Sequence, residues 1–184
     1  MSKRKVVAVV GLPGSGKTEA MNYFIKKLGW PKVYFGEVTF DEMKKRGMEI
    51  NEKNERQIRE ELREKYGKLY YCHETIKKVE AFGSDKSVLV ESLYSWEEYL
   101  GFKEKFGDDF LIVAVYAPPK IRYARLSKRP VRPLKPEEAK SRDYAQIENL
   151  SQAGPIAMAD HAIINCGAKE DIFMQLDKII EELK

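Results

Sequence analysis

Residues 11–18 read GLPGSGKT and follow directly on the apolar run Val6–Val10. No other stretch limits the fold as tightly. Gly11, Gly14 and Gly16 allow backbone angles that a Cβ forbids, so the corner can turn its amides inward. With a strand before it and a helix after it, the helix N-terminus joins the same concavity and makes an anion site. The spacing is the complete G-x-x-x-x-G-K-[ST] pattern. In that pattern the backbone of Gly11, Leu12, Pro13, Gly14, Ser15 and Gly16 cradles the phosphates of a nucleoside triphosphate. Lys17 then reaches the β- and γ-phosphates, and the Thr18 hydroxyl ligates Mg²⁺.

The rest of the chain alternates short apolar runs with stretches of helix length. The runs are Lys5–Val10, Val33–Phe35, Val88–Val90, Phe110–Tyr116 and Ala162–Ile164. Continuous apolar runs suit strands covered on both faces. Thr18–Leu28 carries Met21, Phe24, Ile25 and Leu28 at helical spacing and stops at Gly29. Asn51–Tyr66 places Ile58 and Leu62 on one face, with Glu55–Arg59 and Glu61–Lys65 as i,i+4 pairs. Ser95 and Glu98 predict a capping box, and Pro119 predicts the first turn of another helix. A last helix is predicted over 170–183. This alternation means an α/β fold with a mostly parallel sheet. The helical stretch from about 38 to 82 is too long for one crossover, so part of it is expected to form a small lobe.

Length and charge narrow the function. A chain of 184 residues leaves little room for a motor or a ring-forming ATPase with sensor domains, and no N-K-x-D tetrapeptide follows the later strands. That points to a small kinase. The net charge of +4 is too small to argue for a nucleic-acid partner. No apolar run reaches the roughly 18 residues of a membrane span, and Val6–Val10 is shorter than the ~7–15 of a secretory signal core. Cys72 and Cys166 lack metal-ligand spacing and read as small buried hydrophobes in a reducing compartment. The expectation is a cytoplasmic protein with no membrane partner; its oligomeric state is not predicted.

A second constellation is basic. Residues 118–142 hold nine Lys and Arg residues, Arg132 among them, against Glu137 and Glu138 alone. Phosphoryl transfer needs positioning and neutralisation of equatorial oxygens, which arginines on a closing flap supply. The three prolines of RPVRPLKPEE suggest a hinged loop between two helices. A solvated basic face, or an RNA-binding surface resting on charge alone, is the competing reading.

GLPGSGKT, GDDFLIVAVYAPPKIRYARLSKR, SRDYAQIENL and MADHAIINCGAKEDI together resemble the P-loop kinases of the adenylate kinase and dephospho-CoA kinase group, above all a branch of small adenylate-kinase-related proteins. The resemblance is strong at the P-loop, good over 107–184 and weak over 37–95. It implies a P-loop NTPase fold: a five-stranded parallel sheet in order 2-3-1-4-5, flanked by helices. The expected layout is one domain over 1–184. Its core is 1–36, 84–118 and 155–184, its helical acceptor lobe about 37–83 and its basic lid about 119–154. The resemblance also implies that Arg125, Arg129 and Arg142 meet the ATP phosphates, beside the catalytic Lys17. It places Asn165, Gly167 and Ala168 against the adenine, although a plain strand-end turn would read the same.

The acceptor side departs from that family. Where the family carries Gly-Asp and then an arginine after the second strand, this chain reads GEVTF, with Glu37 for the acid and Phe40 for the arginine. After the third strand Glu91 replaces Asp, Ser92 replaces Gly, and Tyr94 stands where a second arginine belongs. Two lost bidentate partners remove about 1.5–3 kcal/mol each from the grip on an acceptor monophosphate. Glu37, Phe40, Glu91 and Tyr94 remain the expected acceptor residues. Glu91 could also hold a Mg²⁺-bound water or take the acceptor's proton, or be a simple strand-end glutamate. Arg46, Arg56, Arg59 or Arg63 could reach in from the helical lobe to replace the missing arginines, but their spacing on a heavily ion-paired stretch favours a solvated face. The expected activity is Mg²⁺- and ATP-dependent phosphoryl transfer to a small nucleotide-like acceptor. A dephospho-CoA-kinase-like activity, and an ATP-binding sensor or slow NTPase, stand beside it.

Overall fold

The computed structural model describes residues 4–130 and 133–184. Five strands make one parallel sheet: β1 (Val6–Val10), β2 (Lys32–Tyr34), β3 (Val88–Glu91), β4 (Phe110–Tyr116) and β5 (His161–Ile164). Their order is β2-β3-β1-β4-β5, the order the resemblance implies. β1 lies at the centre, with Val7 paired to Leu89 on one side and to Leu111 on the other.

The apolar runs are continuous because the sheet is covered twice. Val6, Ala8, Val10, Val88, Val90 and Ile112 belong to one core, and Val7, Val9, Leu89, Val113 and Val115 to the other. The second core is closed by α1 (Lys17–Leu28) and α9 (Lys169–Leu183), through Phe24, Leu176 and Ile180. The first is closed by α5 (Trp96–Phe106) and by three helices inserted between β2 and β3. These are α2 (Glu37–Lys45), α3 (Glu52–Tyr66) and α4 (Tyr70–Glu80), which contribute Met43, Ile58, Leu62, Cys72 and Val79. Each fully buried side chain of the Phe102 or Ile58 kind contributes about 1.5–3 kcal/mol.

Local signals set the helix ends. α1 runs between Gly16 at φ 102° and Gly29 at φ 67°. The Asn51 side chain accepts from Asn54 N at 2.9 Å and opens α3. Both bonds of the Ser95–Glu98 capping box form. After β4 come α6 (Pro119–Ser127), α7 (Pro136–Leu150) and the short α8 (Ala153–Ala157).

Three expectations are corrected. Cys166 is exposed rather than buried, because it lies past the end of β5. Glu61 reaches Arg46, the residue that ends α2, at 2.5 Å instead of pairing with Lys65, since two helices meet there. Strand ends shift by about one residue; β2, for instance, spans Lys32–Tyr34. Among the described residues no helix is long and apolar enough to cross a membrane.

Candidate functional site

The loop after β1 shows how the glycines are used. Gly11, Gly14 and Gly16 have φ of 145°, 79° and 102°. A Cβ on Gly11 would sit 2.3 Å from the Val115 carbonyl oxygen, and one on Gly14 2.7 Å from that of Arg122. These are collisions with backbone, so neither position tolerates a side chain.

The loop's carbonyls are taken up one by one from outside. Gln152 Nε2 donates to Gly11 O (3.2 Å) and Arg122 Nη1 to Pro13 O (3.1 Å). Asn165 Nδ2 donates to Ser15 O (2.7 Å), and Lys17 Nζ itself bonds Leu12 O (3.1 Å). Side chains from other elements thus hold three of these carbonyls, and the amides of Gly16, Lys17 and Thr18 open α1, where intrahelical acceptors are lacking. The Ser15 hydroxyl is buried and has no protein partner. Burial, followed by the charges of Arg142 and Arg122, pushes the Lys17 ammonium down to about 8. Such a group gains from an arriving anion.

The flap arginines divide. Arg142, exposed on α7, and Arg129, just past α6, both act on Lys17 by charge, Arg142 the more strongly. Arg125 is tied down: its Nη2 donates to Asn165 O (3.1 Å) and Oδ1 (2.9 Å). Arg132 lies outside the described residues. The sequence missed Arg122 and its partner. Both Arg122 and Asp143 are 3% exposed and are joined by two bonds of 2.8 and 2.6 Å. A run of nine basic residues gives no sign of which one turns inward.

Asn165 is corrected in role. Its side chain is spent beneath the loop and on Arg125, not turned to a base; a Cβ on Gly16 would meet its Nδ2 at 2.2 Å. Gly167 and Ala168 are exposed, and Ala168 N donates to Asp171 Oδ2 (3.1 Å) at the start of α9.

At the carboxyl edge of β2 and β3, where ligands of such sheets bind, lies a cavity of about 330 Å³. Phe40 and Tyr94 line it, as the sequence suggests, together with Tyr34 and Tyr71. Arg59 and Arg63 of α3 line it too, and so does Arg142 of α7. Of the four arginines that could reach in from the lobe, Arg59 and Arg63 therefore do so, against the favoured reading of a solvated face. α3 buries Ile58 and Leu62 in the core, and the adjoining stripe turns to the cavity. Arg59 meets Glu55 at 3.3 Å and the Arg63 guanidinium lies 5.3 Å from the Tyr71 ring centre. Arg46 and Arg56 do stay on the surface, paired with Glu42, Glu61 and Glu60.

Two expected acceptor acids sit differently. Glu37 bonds Lys78 at 3.2 Å and is not among the cavity's lining residues. Glu91 holds Lys32 at 2.6 Å, and its charge acts on Lys17. Glu98 lines the cavity and accepts from Tyr94 N (2.8 Å) and Ser95 N (3.0 Å), while burial pushes its carboxyl up. Ser92 takes φ 70°, the glycine conformation at the place where the resembling family has glycine.

The donor set fits a polyphosphate: the amides that open α1, a half-buried lysine, an unpartnered serine hydroxyl and flanking arginines. Among the described residues no group of three or more His, Cys, Asp or Glu assembles. The candidates for a divalent cation are Thr18, which is exposed at the start of α1, and Glu91. Phosphate oxygens and water would complete its shell.

A family model described as an AAA domain matches residues 7–147. The UPF0200 protein TK1334 of Thermococcus kodakarensis is 31% identical over 182 residues, covering 97% of each chain. A UPF0200 protein of Thermococcus gammatolerans is 32% identical over 183 residues, covering 97% of this chain and 95% of its own. Among solved structures, a shikimate kinase from Bacteroides thetaiotaomicron superposes with a TM-score of 0.61 at 14% identity, over 97% of this chain and 98% of that one. A gluconokinase from Sinorhizobium meliloti 1021 gives 0.62 at 12%, over 100% and 97%. These two share the fold, that of the small P-loop kinases.

Proposed function

This chain belongs to the AAA domain family and to the UPF0200 proteins, and from that membership we propose that it transfers the γ-phosphoryl group of ATP to a small, nucleotide-like acceptor. One observation carries the reading. The cavity lined by Arg59, Arg63 and Arg142 opens at the same sheet edge as the Lys17 loop, so donor and acceptor phosphates would face one another across Arg142.

The loop amides and Lys17 hold the β- and γ-phosphates. Arg142 and Arg129 neutralise charge on the moving phosphoryl group. Arg59 and Arg63 hold the anionic part of the acceptor, in place of the arginines absent at 40 and 94. Tyr34, Phe40 and Tyr94 stack on its planar or apolar part. Thr18 and Glu91 would hold a Mg²⁺ ion, which would supply positive charge to offset that of the phosphates. As ADP leaves, the acceptor oxygen gains the phosphoryl group and gives up its proton, for which Glu91, paired with Lys32 outside the cavity lining, is the proposed base. α2–α4 form the acceptor lobe and α6–α7 the basic lid. The exposed turn at Gly167 and Ala168 borders the base.

Purified protein with Mg-ATP should release ADP faster when its acceptor is supplied. The panel comprises nucleoside monophosphates, nucleosides, dephospho-CoA, and the shikimate and gluconate named for the structural neighbours. Dephospho-CoA stimulation would select that narrower activity. Tight ATP binding with no stimulation across the panel would instead support the reading that Phe40 and Tyr94 favour, an ATP-binding sensor or slow NTPase.

A further inference from the structure

The Arg122–Asp143 pair lies at a junction. Arg122 donates to Pro13 O in the phosphate loop (3.1 Å) and to Ala117 O just past β4 (2.9 Å). Its remaining donors grip both oxygens of Asp143, and Tyr123 OH adds a third bond to that carboxylate at 2.9 Å. Each side chain is 4% exposed. A buried pair of this kind is seldom kept for stability, since apolar side chains of similar volume often serve as well. What the fork geometry supplies is register: it fixes one rotation of α7 about its axis.

That rotation decides where Arg142 points. Arg142, Gln146 and Leu150 recur at the helical spacing and all line the acceptor cavity. Asp143, the next residue, faces inward to Arg122. A helix turned by one residue position would carry Arg142 away from the cavity and from Lys17.

We propose that Arg122 and Asp143 are positioning residues, which tie α7 to the phosphate loop so that Arg142 stands over the site of the γ-phosphate. The proposal rests on the ATP reading above. The charges of Arg142 and Arg122 being those that most weaken the Lys17 proton agrees with this placement.

Calorimetric titration of Mg-ATP and Mg-ADP into wild type and into the double variant Arg122→Met/Asp143→Leu tests it. The double variant keeps volume and loses register. Loss of the Arg122 bond to Pro13 O alters the cradle for ATP and ADP alike, so the readout is the ATP-to-ADP affinity ratio, which should fall about tenfold with the γ-phosphate contact. Arg142→Ala should lower that ratio by the same factor, and combining it with the double variant should lower the ratio no further. An unchanged ATP-to-ADP ratio in the folded double variant, or additive losses, overturns the proposal. Should the double variant fail to fold, Asp143→Asn is read by the same ratio and the same non-additivity. A wild type that binds neither nucleotide overturns the ATP reading, and the positioning role with it.

Discussion

Lys17 sits among Arg142, Arg122 and Arg129, with Glu91 as the opposing charge, and is pushed down from 10.5 to about 8. The sign follows from linkage. Between these two values the unfolded chain holds a proton that the folded chain has shed. The unliganded protein should therefore gain stability as pH rises from about 8 towards 10.5, and carry the full cost below 8; urea titrations across that window measure it. Polyphosphate binding restores the proton. Calorimetry at pH 8.5 in buffers of different ionisation enthalpy should show proton uptake with ATP, and Lys17→Met should abolish it. The same variant should melt higher than wild type without ligand and fail to bind nucleotide. The place of Lys17, at the start of α1 beside the glycine loop, was legible from the GKT triplet. Its neighbours were not, because nothing local to residue 17 says which distant guanidinium will approach it.

At the scale of the element, α3 is the instructive case. Its ladder of charges reads as a solvated face, and most of it is one. Yet one helix has room for three stripes, and the stripe beside Ile58 and Leu62 closes the cavity with Arg59 and Arg63. The periodicity identifies the buried stripe and is silent on which polar stripe meets another element. Arg63→Ala should raise the KM of an anionic acceptor by about 10–100-fold, the equivalent of one charged hydrogen bond. It should leave the Kd of Mg-ATP within experimental error, as steady-state kinetics and calorimetry on the same variant would show. For the α6–α7 contact, Asp143→Ala leaves the Arg122 guanidinium buried without its carboxylate, at a cost of about 3–5 kcal/mol in urea unfolding. The replacement of both partners by apolar residues should cost much less.

Across the whole molecule, the phosphate loop is shaped by side chains far away in the chain. Gln152 and Asn165 reach it over 141 and 150 residues, Arg122 over 109. Asn165→Ala should cost about 1–3 kcal/mol, because it leaves the buried Ser15 carbonyl unpaired. Unlike the loss of Arg142, it should weaken ATP and ADP by the same factor, since it alters the cradle and not the γ-phosphate contact; paired calorimetric titrations distinguish the two.

The sequence by itself determined the strands, most helix ends, the glycine loop and its lysine. Each of these depends on neighbours a few residues apart, through backbone sterics and the periods of the helix and the strand. Only the tertiary structure decided that Arg122 turns inward, that Asn165 lies beneath the loop, and that α3 supplies the cavity's arginines. Those outcomes depend on which elements meet and at what rotation, and that is settled by burial of both sheet faces at once, a constraint that no local window of residues contains.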